Sequence, residues 1–198
     1  INAPGKDVIC SLSDAHTQPW FRGVVEKPFL FETQADTLFI NPMLPPLRII
    51  CVGGVHITQF LATIATPLGI EMTVTDPREA FLTAERLPDC QLHHGWPDEI
   101  LPQLQIDSRT AVVSLTHDEK IDDPALDIAL RSDAFYIGAL GSKRTHAARV
   151  DRLIKKGHPE EHIGRIRAPI GLNIGSRGPG EIALSILAQI IQTWRTMV

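Results

Sequence analysis

The sequence CVGGVHITQF, residues 51–60, lies between a run of apolar residues and a stretch with the spacing of an amphipathic helix. A glycine-rich loop at such a strand-to-helix junction is typical of dinucleotide-binding folds, where it approaches a pyrophosphate. Here Val55 stands where that pattern has its second glycine, and His56 follows it. The stretch predicts a strand, a tight loop and a helix, and it leaves open whether the loop holds a nucleotide.

Strand patterns alternate with helical patterns from Leu47 onward. The predicted strands are RIICVG, EMTVTD, CQLHHG, TAVVSLT and AFYIGALG. The predicted helices are ITQFLATIATPLG, REAFLTAERL, a short one after Pro97, DPALDIALRS, THAARVDRLIKKG, EEHIGRI and GEIALSILAQIIQTWRT. Such alternation favours a parallel sheet with right-handed crossovers. We predict an α/β fold, a Rossmann-like doubly wound and mainly parallel sheet, over residues 47–198.

The first 46 residues have a different pattern. VVEKPFLFE and TLFINP predict short strands, and the prolines at 42, 45 and 46 end the second of these patterns, because proline fixes φ and lacks a donor. We predict that residues 1–46 form a small strand-rich appendage with a proline-rich linker. An unpaired strand edge invites pairing with another chain, so a homodimer is expected.

Composition excludes several classes of function. The 198 residues are 43% hydrophobic and 21% charged, as in ordinary globular proteins. A net charge of -4 offers no general attraction to nucleic acid or to an anionic membrane. No apolar run approaches the roughly 20 residues that a membrane span needs, and the start of the chain does not resemble a signal peptide. Three cysteines without CxxC spacing suit a reduced, cytoplasmic protein.

Candidate binding residues follow the ends of the predicted strands. In open parallel sheets, ligands bind where the carboxyl ends of strands meet the N-termini of helices. The GLNIGSRGPGE segment ahead of the last helix adds further candidates. The candidate ligand-binding residues are Gly53, Gly54, His56, Asp76, Thr116, His117, Asp118, Gly138, Gly141, Ser142, Lys143, Arg144, Gly175 and Arg177.

Several of these residues have an alternative interpretation. Asp76 suits a ribose hydroxyl, and it equally suits a helix cap. Val55 argues against ordinary NAD binding, because a β-branched side chain obstructs the approach of a pyrophosphate. Lys143 and Arg144 follow Ser142 at a predicted helix start, where free N–H groups and two cations favour an anion. No metal site is predicted, because the histidines at 56, 117 and 146 lie on separate elements.

Catalytic residues cannot be assigned. The chain has neither a Gly-x-Ser-x-Gly elbow nor a phosphate-loop lysine after the first predicted strand. Cys51 and Cys90 lie in predicted strands, where free cysteine usually packs as a small hydrophobe.

Several motifs resemble one family. DAFYIGALGSKRTHAARVDRL and IRAPIGLNIGSRGPGEIALSILAQII are similar to the C-terminal half of the XdhC/CoxI family of xanthine dehydrogenase accessory proteins. PPLRIICVGGVHITQFLATIATPLGIEMTVTDPRE resembles that family's strand-loop-helix entry, which usually reads Gly-Ala-Gly-His-Val. VVSLTHDEKIDDPALDIAL resembles its Thr-His segment. The resemblance covers residues 38–196.

The resemblance implies a Rossmann-like domain with a role in maturing molybdenum hydroxylases such as xanthine dehydrogenase. Members are understood to bind molybdenum cofactor (molybdopterin), to assist its sulfuration and to deliver it, so an accessory factor is expected more than an enzyme. A sulfurtransferase is a further implied partner. The cofactor's phosphate suits the basic helix start after Gly141, and its pterin suits His56, Thr116, His117 and Asp118.

The chain also departs from the family pattern. It lacks the Gly-Gly-Cys and Cys-Gly-Gly motifs that are candidate thiol contacts for the cofactor, so thiol ligation of molybdenum is not expected. The alternative function is an NAD(P)-dependent oxidoreductase that uses the same cleft, with Arg78 near a 2′-phosphate.

Overall fold

A computed structural model of the chain describes residues 28–32, 37–41 and 43–197. Two units are distinguished, one containing the first two strands and the other spanning Pro45–Thr196. In the first unit, β1 (Phe29–Glu32) pairs antiparallel with β2 (Thr37–Ile40). The two strands predicted there are confirmed for these residues, and residues 24–27 of the first lie outside the described part of the chain.

The second unit is built on a six-stranded parallel sheet. Its strands are β3 (Arg48–Val52), β4 (Glu71–Asp76), β5 (Cys90–His94), β6 (Thr110–Ser114), β7 (Tyr136–Ala139) and β8 (Ile166–Arg167). Their order across the sheet is β5-β4-β3-β6-β7-β8, and every neighbouring pair is parallel. This is the strand order of a doubly wound dinucleotide-binding fold. The predicted fold class is confirmed.

Six α-helices connect or flank these strands in the described residues. They are α1 (His56–Ala65), α2 (Pro97–Ile100), α3 (Glu119–Leu130), α4 (Lys143–Lys155), α5 (Glu160–Ile163) and α6 (Pro179–Met197). Among the described residues, no helix has the combined length and apolarity that crossing a bilayer requires.

The sheet buries apolar side chains on both faces, because successive residues of a strand point to opposite sides. In β3, Cys51 packs in the cluster that contains Leu61 of α1 and Ile186 of α6. Its neighbour Val52 packs in the other cluster, with Leu126 of α3 and other residues of α3 and α4. The helices therefore cover both faces and leave the carboxyl edge of the sheet open to ligands.

The helix predicted over REAFLTAERL is wrong. A short 3₁₀ turn over Glu79–Phe81 is the helical part of this segment, and turns follow it up to β5. The physical reason is tertiary: Arg86 donates to the carbonyl oxygens of Ala80 (3.0 Å) and Gly54 (3.2 Å), which ties the segment across the glycine loop. Such contacts override a local helix propensity.

Two further boundaries differ from the prediction. Helix α3 begins at Glu119 instead of at Asp123, because the Asp118 side chain accepts from the backbone N–H of Lys120 and so caps the helix earlier. Pro124 lies inside the helix and does not end it. The helix predicted over EEHIGRI ends at Ile163, and Ile166 instead begins the strand β8, which was not predicted because two residues carry no periodicity.

Candidate functional site

A cleft of about 340 Å³ lies at the carboxyl edge of the sheet, where β3 and β6 are neighbours. The strand order reverses at this point, so the loops after the two strands diverge and leave a crevice. Ligand pockets range over roughly 300–1,000 Å³, so the volume suits a small ligand better than an extended one. The lining residues are Val55, His56, Ile57, Phe81, Arg86, Leu115, Thr116, His117 and Leu140.

The lining agrees in part with the residues predicted from the sequence. His56, Thr116 and His117 are brought together on it. Phe81 and Arg86 were missed, because their segment has a helical pattern and no fixed place in the dinucleotide fingerprint. The sequence signal for them was an aromatic residue with an arginine on either side. In the structure the guanidinium carbons of Arg78 and Arg86 lie 4.1 Å and 5.1 Å from the centroid of the Phe81 ring.

Gly53 is required by its conformation and by its neighbour. Its φ is +110°, and a Cβ built on it would lie 2.6 Å from Cγ2 of Thr116. Its N–H donates to the carbonyl of Thr75 at 2.8 Å. The loop after β3 therefore packs directly against the residue that follows β6, and this contact sets one wall of the cleft.

Gly54 is covered by the chain itself. Its N–H donates to Oδ2 of Asp76 at 2.9 Å, and its carbonyl accepts from Arg86. The backbone carbonyl of Phe81 occupies the place that a Cβ would take. In dinucleotide-binding loops the backbone of the second glycine, at the position of Val55 here, approaches the pyrophosphate. The preceding Gly54 has its polar groups bonded within the protein.

Asp76 is fully buried at the end of β4. Its Oδ1 accepts from the backbone N–H (2.9 Å) and Nε (2.8 Å) of Arg78, and its Oδ2 accepts from Nη2 of Arg78 (2.8 Å) and from Gly54. Burial raises the pKa of Asp76, but the hydrogen bonds from Arg78 and Gly54 outweigh it and lower the pKa below its usual range. A ribose would have to displace one of these donors.

Thr116 is held from two sides after β6. Its hydroxyl donates to Oδ1 of Asp122 at 2.6 Å, and it accepts from the backbone N–H of Asp118 at 3.2 Å. His117, at φ +62°, turns the chain between them. Asp118 caps α3 at this turn. The segment places Thr116 and His117 on the cleft.

The predicted helix start at Ser142 is confirmed as the N-cap of α4, where the Ser142 hydroxyl accepts from the N–H of Thr145. Gly141 precedes it at φ +133°. Lys143 and Arg144 are exposed, and the first turn holds no acidic residue. They do not line the cleft, which Leu140 borders from this segment.

Three other candidates lie away from the cleft lining. Gly138 is buried in β7, where a Cβ would collide with Ile170, so this glycine serves packing. Gly175 has φ +75°, and Arg177 is exposed with its backbone N–H donating to Glu181 at 2.7 Å. The structure places Gly175 and Arg177 in the loop before α6, and neither residue borders the cleft.

The fold has a counterpart among known proteins. Residues 49–190 match the model of a family described as the XdhC Rossmann domain. The chain belongs to this family. The resemblance to xanthine dehydrogenase accessory proteins is thereby confirmed.

Individual relatives agree with the family assignment. The chain is 35% identical over 161 residues to a probable xanthine dehydrogenase subunit of Bacillus subtilis (strain 168), covering 81% of this chain and 47% of that protein. It is 43% identical over 86 residues to the molybdenum cofactor insertion chaperone PaoD of Escherichia coli (strain K12), covering 43% of this chain and 27% of PaoD.

A solved structure shows the same fold. A crystal structure described as a xanthine dehydrogenase from Bacillus halodurans superposes with a TM-score of 0.68 at 32% identity, covering 82% of this chain and 46% of that one. The chain thus spans about half the length of the Bacillus proteins that it matches.

The two cysteines that the structure describes in this XdhC domain, Cys51 and Cys90, have raised thiol pKa values. Burial raises the pKa of Cys51 to about 12 and that of Cys90 to about 11, so both remain protonated at neutral pH. Cys10 lies outside the described residues. Within those residues, no group of three His, Cys, Asp or Glu side chains is arranged to hold a metal ion.

Proposed function

We propose that this protein is an accessory factor in the maturation of a molybdenum hydroxylase of the xanthine dehydrogenase type, and that it binds molybdenum cofactor in the cleft between β3 and β6. The names of two relatives, a probable xanthine dehydrogenase subunit and a molybdenum cofactor insertion chaperone, support the class of function. For this chain, one observation carries the proposal. Thr116 lines a cleft, whereas Asp76, the carboxylate that would bind a ribose in a dinucleotide fold, is already hydrogen-bonded to Arg78.

The described residues fit a phosphorylated pterin. The first turn of α1 lines the cleft at His56 and Ile57, carries no acidic side chain and has no side-chain cap, so its N–H groups suit a single phosphate, where Val55 obstructs a pyrophosphate. Thr116, His117 and His56 offer polar groups to the edges of the ring. When bound, the cofactor supplies the molybdenum centre, and this chain's residues bind and orient it.

A second phosphate position is the start of α4, from Gly141 to Arg144. Lys143 and Arg144 oppose the helix dipole there, which is a small destabilisation that an anion would reverse. This position suits a longer, nucleotide-bearing form of the cofactor that extends past Leu140. Neutral variants of Lys143 and Arg144 are the test of this position.

The sulfur for cofactor sulfuration is proposed to come from a partner such as a sulfurtransferase. Cys51 lies within β3 and its thiol pKa of about 12 disfavours the nucleophilic thiolate, and the same holds for Cys90 at about 11. The proposed role of the chain is to hold and hand over the cofactor to the client hydroxylase. A homodimeric state and a cytoplasmic location stay predictions.

The proposal is tested by reconstitution. A cofactor-free molybdenum hydroxylase of the xanthine dehydrogenase type is mixed with molybdenum cofactor, with and without the purified chain, and the recovery of hydroxylase activity is followed over time. We expect the chain to increase the rate or extent of recovery, and an equal concentration of serum albumin to have no effect. No increase at equimolar or higher chain concentration, with a hydroxylase that the cofactor alone reactivates, contradicts an insertion role.

A further inference from the structure

Two hydroxyl groups converge on one buried carboxylate oxygen beneath the cleft. Ser114, the last residue of β6, and Thr116 each donate to Oδ1 of Asp122 at 2.6 Å. The Asp122 side chain is 2% exposed, and Nη2 of Arg149 lies 3.5 Å from its other oxygen. A carboxylate only accepts hydrogen bonds, so both hydroxyl protons point at Asp122.

This arrangement fixes what Thr116 can offer to a ligand. A hydroxyl group has one proton and two lone pairs. The proton of Thr116 is given to Asp122, and one lone pair receives the N–H of Asp118. The remaining lone pair belongs to a residue that lines the cleft. With its proton given to Asp122, Thr116 has a free lone pair but no free proton to offer a ligand in the cleft.

The Thr116 side chain is also held in one orientation. Its methyl group lies where a side chain on Gly53 would be, so the loop after β3 closes around it. Arg149 connects the same network to the far wall of the cleft, because its Nη2 donates to the carbonyl of Leu140 at 3.0 Å. Asp122 and Arg149 together hold the ends of β6 and β7.

The network is costly for a purely structural device. Arg149 is 1% exposed, and among the described residues its Nε and Nη1 have no hydrogen-bond partner. Burying a charge with incomplete pairing is strongly unfavourable, and an apolar pair of similar volume would usually be at least as stable. Buried polar groups that lower the stability of the folded protein are expected at functional sites.

We infer that Thr116, positioned by Asp122, accepts a hydrogen bond from an N–H donor of a heteroaromatic ring bound in the cleft. The inference rests on the proposed function. It adds that the edge of the ligand that meets Thr116 carries hydrogen-bond donors, such as the amino group and ring N–H of a pterin. Asp122 acts through Thr116 and is a positioning residue.

The experiment compares two hydroxyl deletions that differ in their access to the cleft. Thr116→Val removes the acceptor and keeps the branched shape, whereas Ser114→Ala removes the other hydroxyl on Asp122 from a position that is fully buried. Thr116→Ser restores the hydroxyl. Fluorescence titration measures binding of pterin and of lumazine methylated on both proton-bearing ring nitrogens, which has no N–H donor.

The wild type is expected to prefer pterin over the methylated lumazine. Thr116→Val should lose about tenfold in pterin affinity and narrow that preference, because a site built for one hydrogen bond loses it. Ser114→Ala should have a lowered melting temperature, similar to that of Thr116→Val, but the pterin affinity of the wild type. Thr116→Ser should recover most of the pterin affinity that Thr116→Val loses. An equal loss of pterin affinity in all three variants would show that the network only supports the fold, and it would overturn the inference.

Failure of this inference can be told apart from failure of the proposed function. If the wild type binds pterin and intact cofactor and Thr116→Val binds them equally well, the inference falls and the proposed function stands. If the wild type binds neither pterin nor intact cofactor, both fall.

Discussion

Two buried aspartates lie on either side of β3, and their surroundings differ. Asp76, at the end of β4, is enclosed by Arg78 and Gly54, and Phe81 covers the adjoining loop. Asp122, beneath the end of β6, is bonded to two hydroxyls, one of which lines an open cleft. The carboxylate that binds ribose in dinucleotide folds has become internal here. Thr116, across the switch point, is instead the polar residue on this network that lines the cleft.

The largest effect is expected from removing the carboxylate beneath β6. Asp122→Ala leaves the Arg149 guanidinium buried without its acidic partner, which should cost about 3–5 kcal/mol of unfolding free energy. Urea unfolding followed by circular dichroism measures the loss. Asp133→Ala, at an exposed position, is the control. A loss below about 1 kcal/mol would mean that the Asp122 pair behaves like a surface ion pair.

Removing the carboxylate beneath β4 should have a smaller effect. Asp76→Asn weakens the bonds to Gly54 and Arg78, but Arg78 remains solvated because its side chain is 40% exposed. We expect a loss of about 1.5–3 kcal/mol, the usual value for hydrogen bonds to a charged group. If this loss equals or exceeds that of Asp122→Ala, the contrast between the two carboxylates is wrong.

The Asp76→Asn variant should also differ from the wild type in how its unfolding free energy depends on pH. Because the pKa of Asp76 is lowered in the folded protein, its contribution to stability is present above the unfolded pKa of about 3.9. It is lost as the pH falls through the lower folded pKa. The stability difference between wild type and Asp76→Asn should therefore be constant near neutrality and shrink in acid. A difference that persists unchanged at the lowest pH at which both remain folded contradicts the assignment.

A smaller effect is expected at the start of α4, and it concerns binding. Lys143→Gln with Arg144→Gln should leave the melting temperature unchanged or slightly raised, because these cations oppose the helix dipole. Affinity for molybdenum cofactor, measured by titration, should fall about tenfold or more. The matched control is Lys155→Gln with Lys156→Gln at the other end of the helix. Equal affinities in the two double variants would place the phosphate elsewhere.

The smallest effect is expected from reopening the nucleotide side of the cleft. The sequence pattern predicts that Val55→Gly alone restores room for a pyrophosphate, but the structure adds Phe81 as a second cover over Gly54. This cover is the backbone carbonyl of Phe81, which no side-chain substitution removes, and Asp76 is engaged by Arg78. We expect weak NAD⁺ binding by calorimetry to appear in Val55→Gly with Arg78→Ala, which frees Asp76 for a ribose, and to be smaller in either single variant. Strong NAD⁺ binding by the wild type would show that the steric argument is wrong.

The fold could be predicted because its signals are local. The buried strands β3 and β6 read as apolar runs, and the cap of α4 reads as Ser142 ahead of a helical pattern, whereas the Asp118 cap of α3 was missed because the predicted helix begins at Asp123. The segment after Asp76 could not be predicted, since its shape depends on hydrogen bonds from Arg86 to distant backbone. Helix propensity is a weak prior where such contacts compete.

The candidate site was predicted in outline, without its hydrogen-bond network. Residues after strand ends could be collected from the sequence, and His56, Thr116 and His117 do meet. Asp122 and Arg149 could not be selected, because Asp122 falls just ahead of a predicted helix, Arg149 falls inside one, and charged residues at such positions normally face solvent. Only the packing of α3 and α4 on the sheet shows that they are buried beneath Thr116.

The most direct test of the central claim is mass spectrometry of the small molecules released from the purified wild-type protein. We expect the cleft to take a pterin-type cofactor and to exclude nicotinamide dinucleotides, because Asp76 is engaged internally. Wild-type protein purified from cells that make molybdenum cofactor should release a phosphorylated pterin and no stoichiometric NAD(H) or NADP(H). The Thr116→Val variant should release less of the pterin. Recovery of a nicotinamide dinucleotide at near one equivalent per chain, without any pterin, would contradict it.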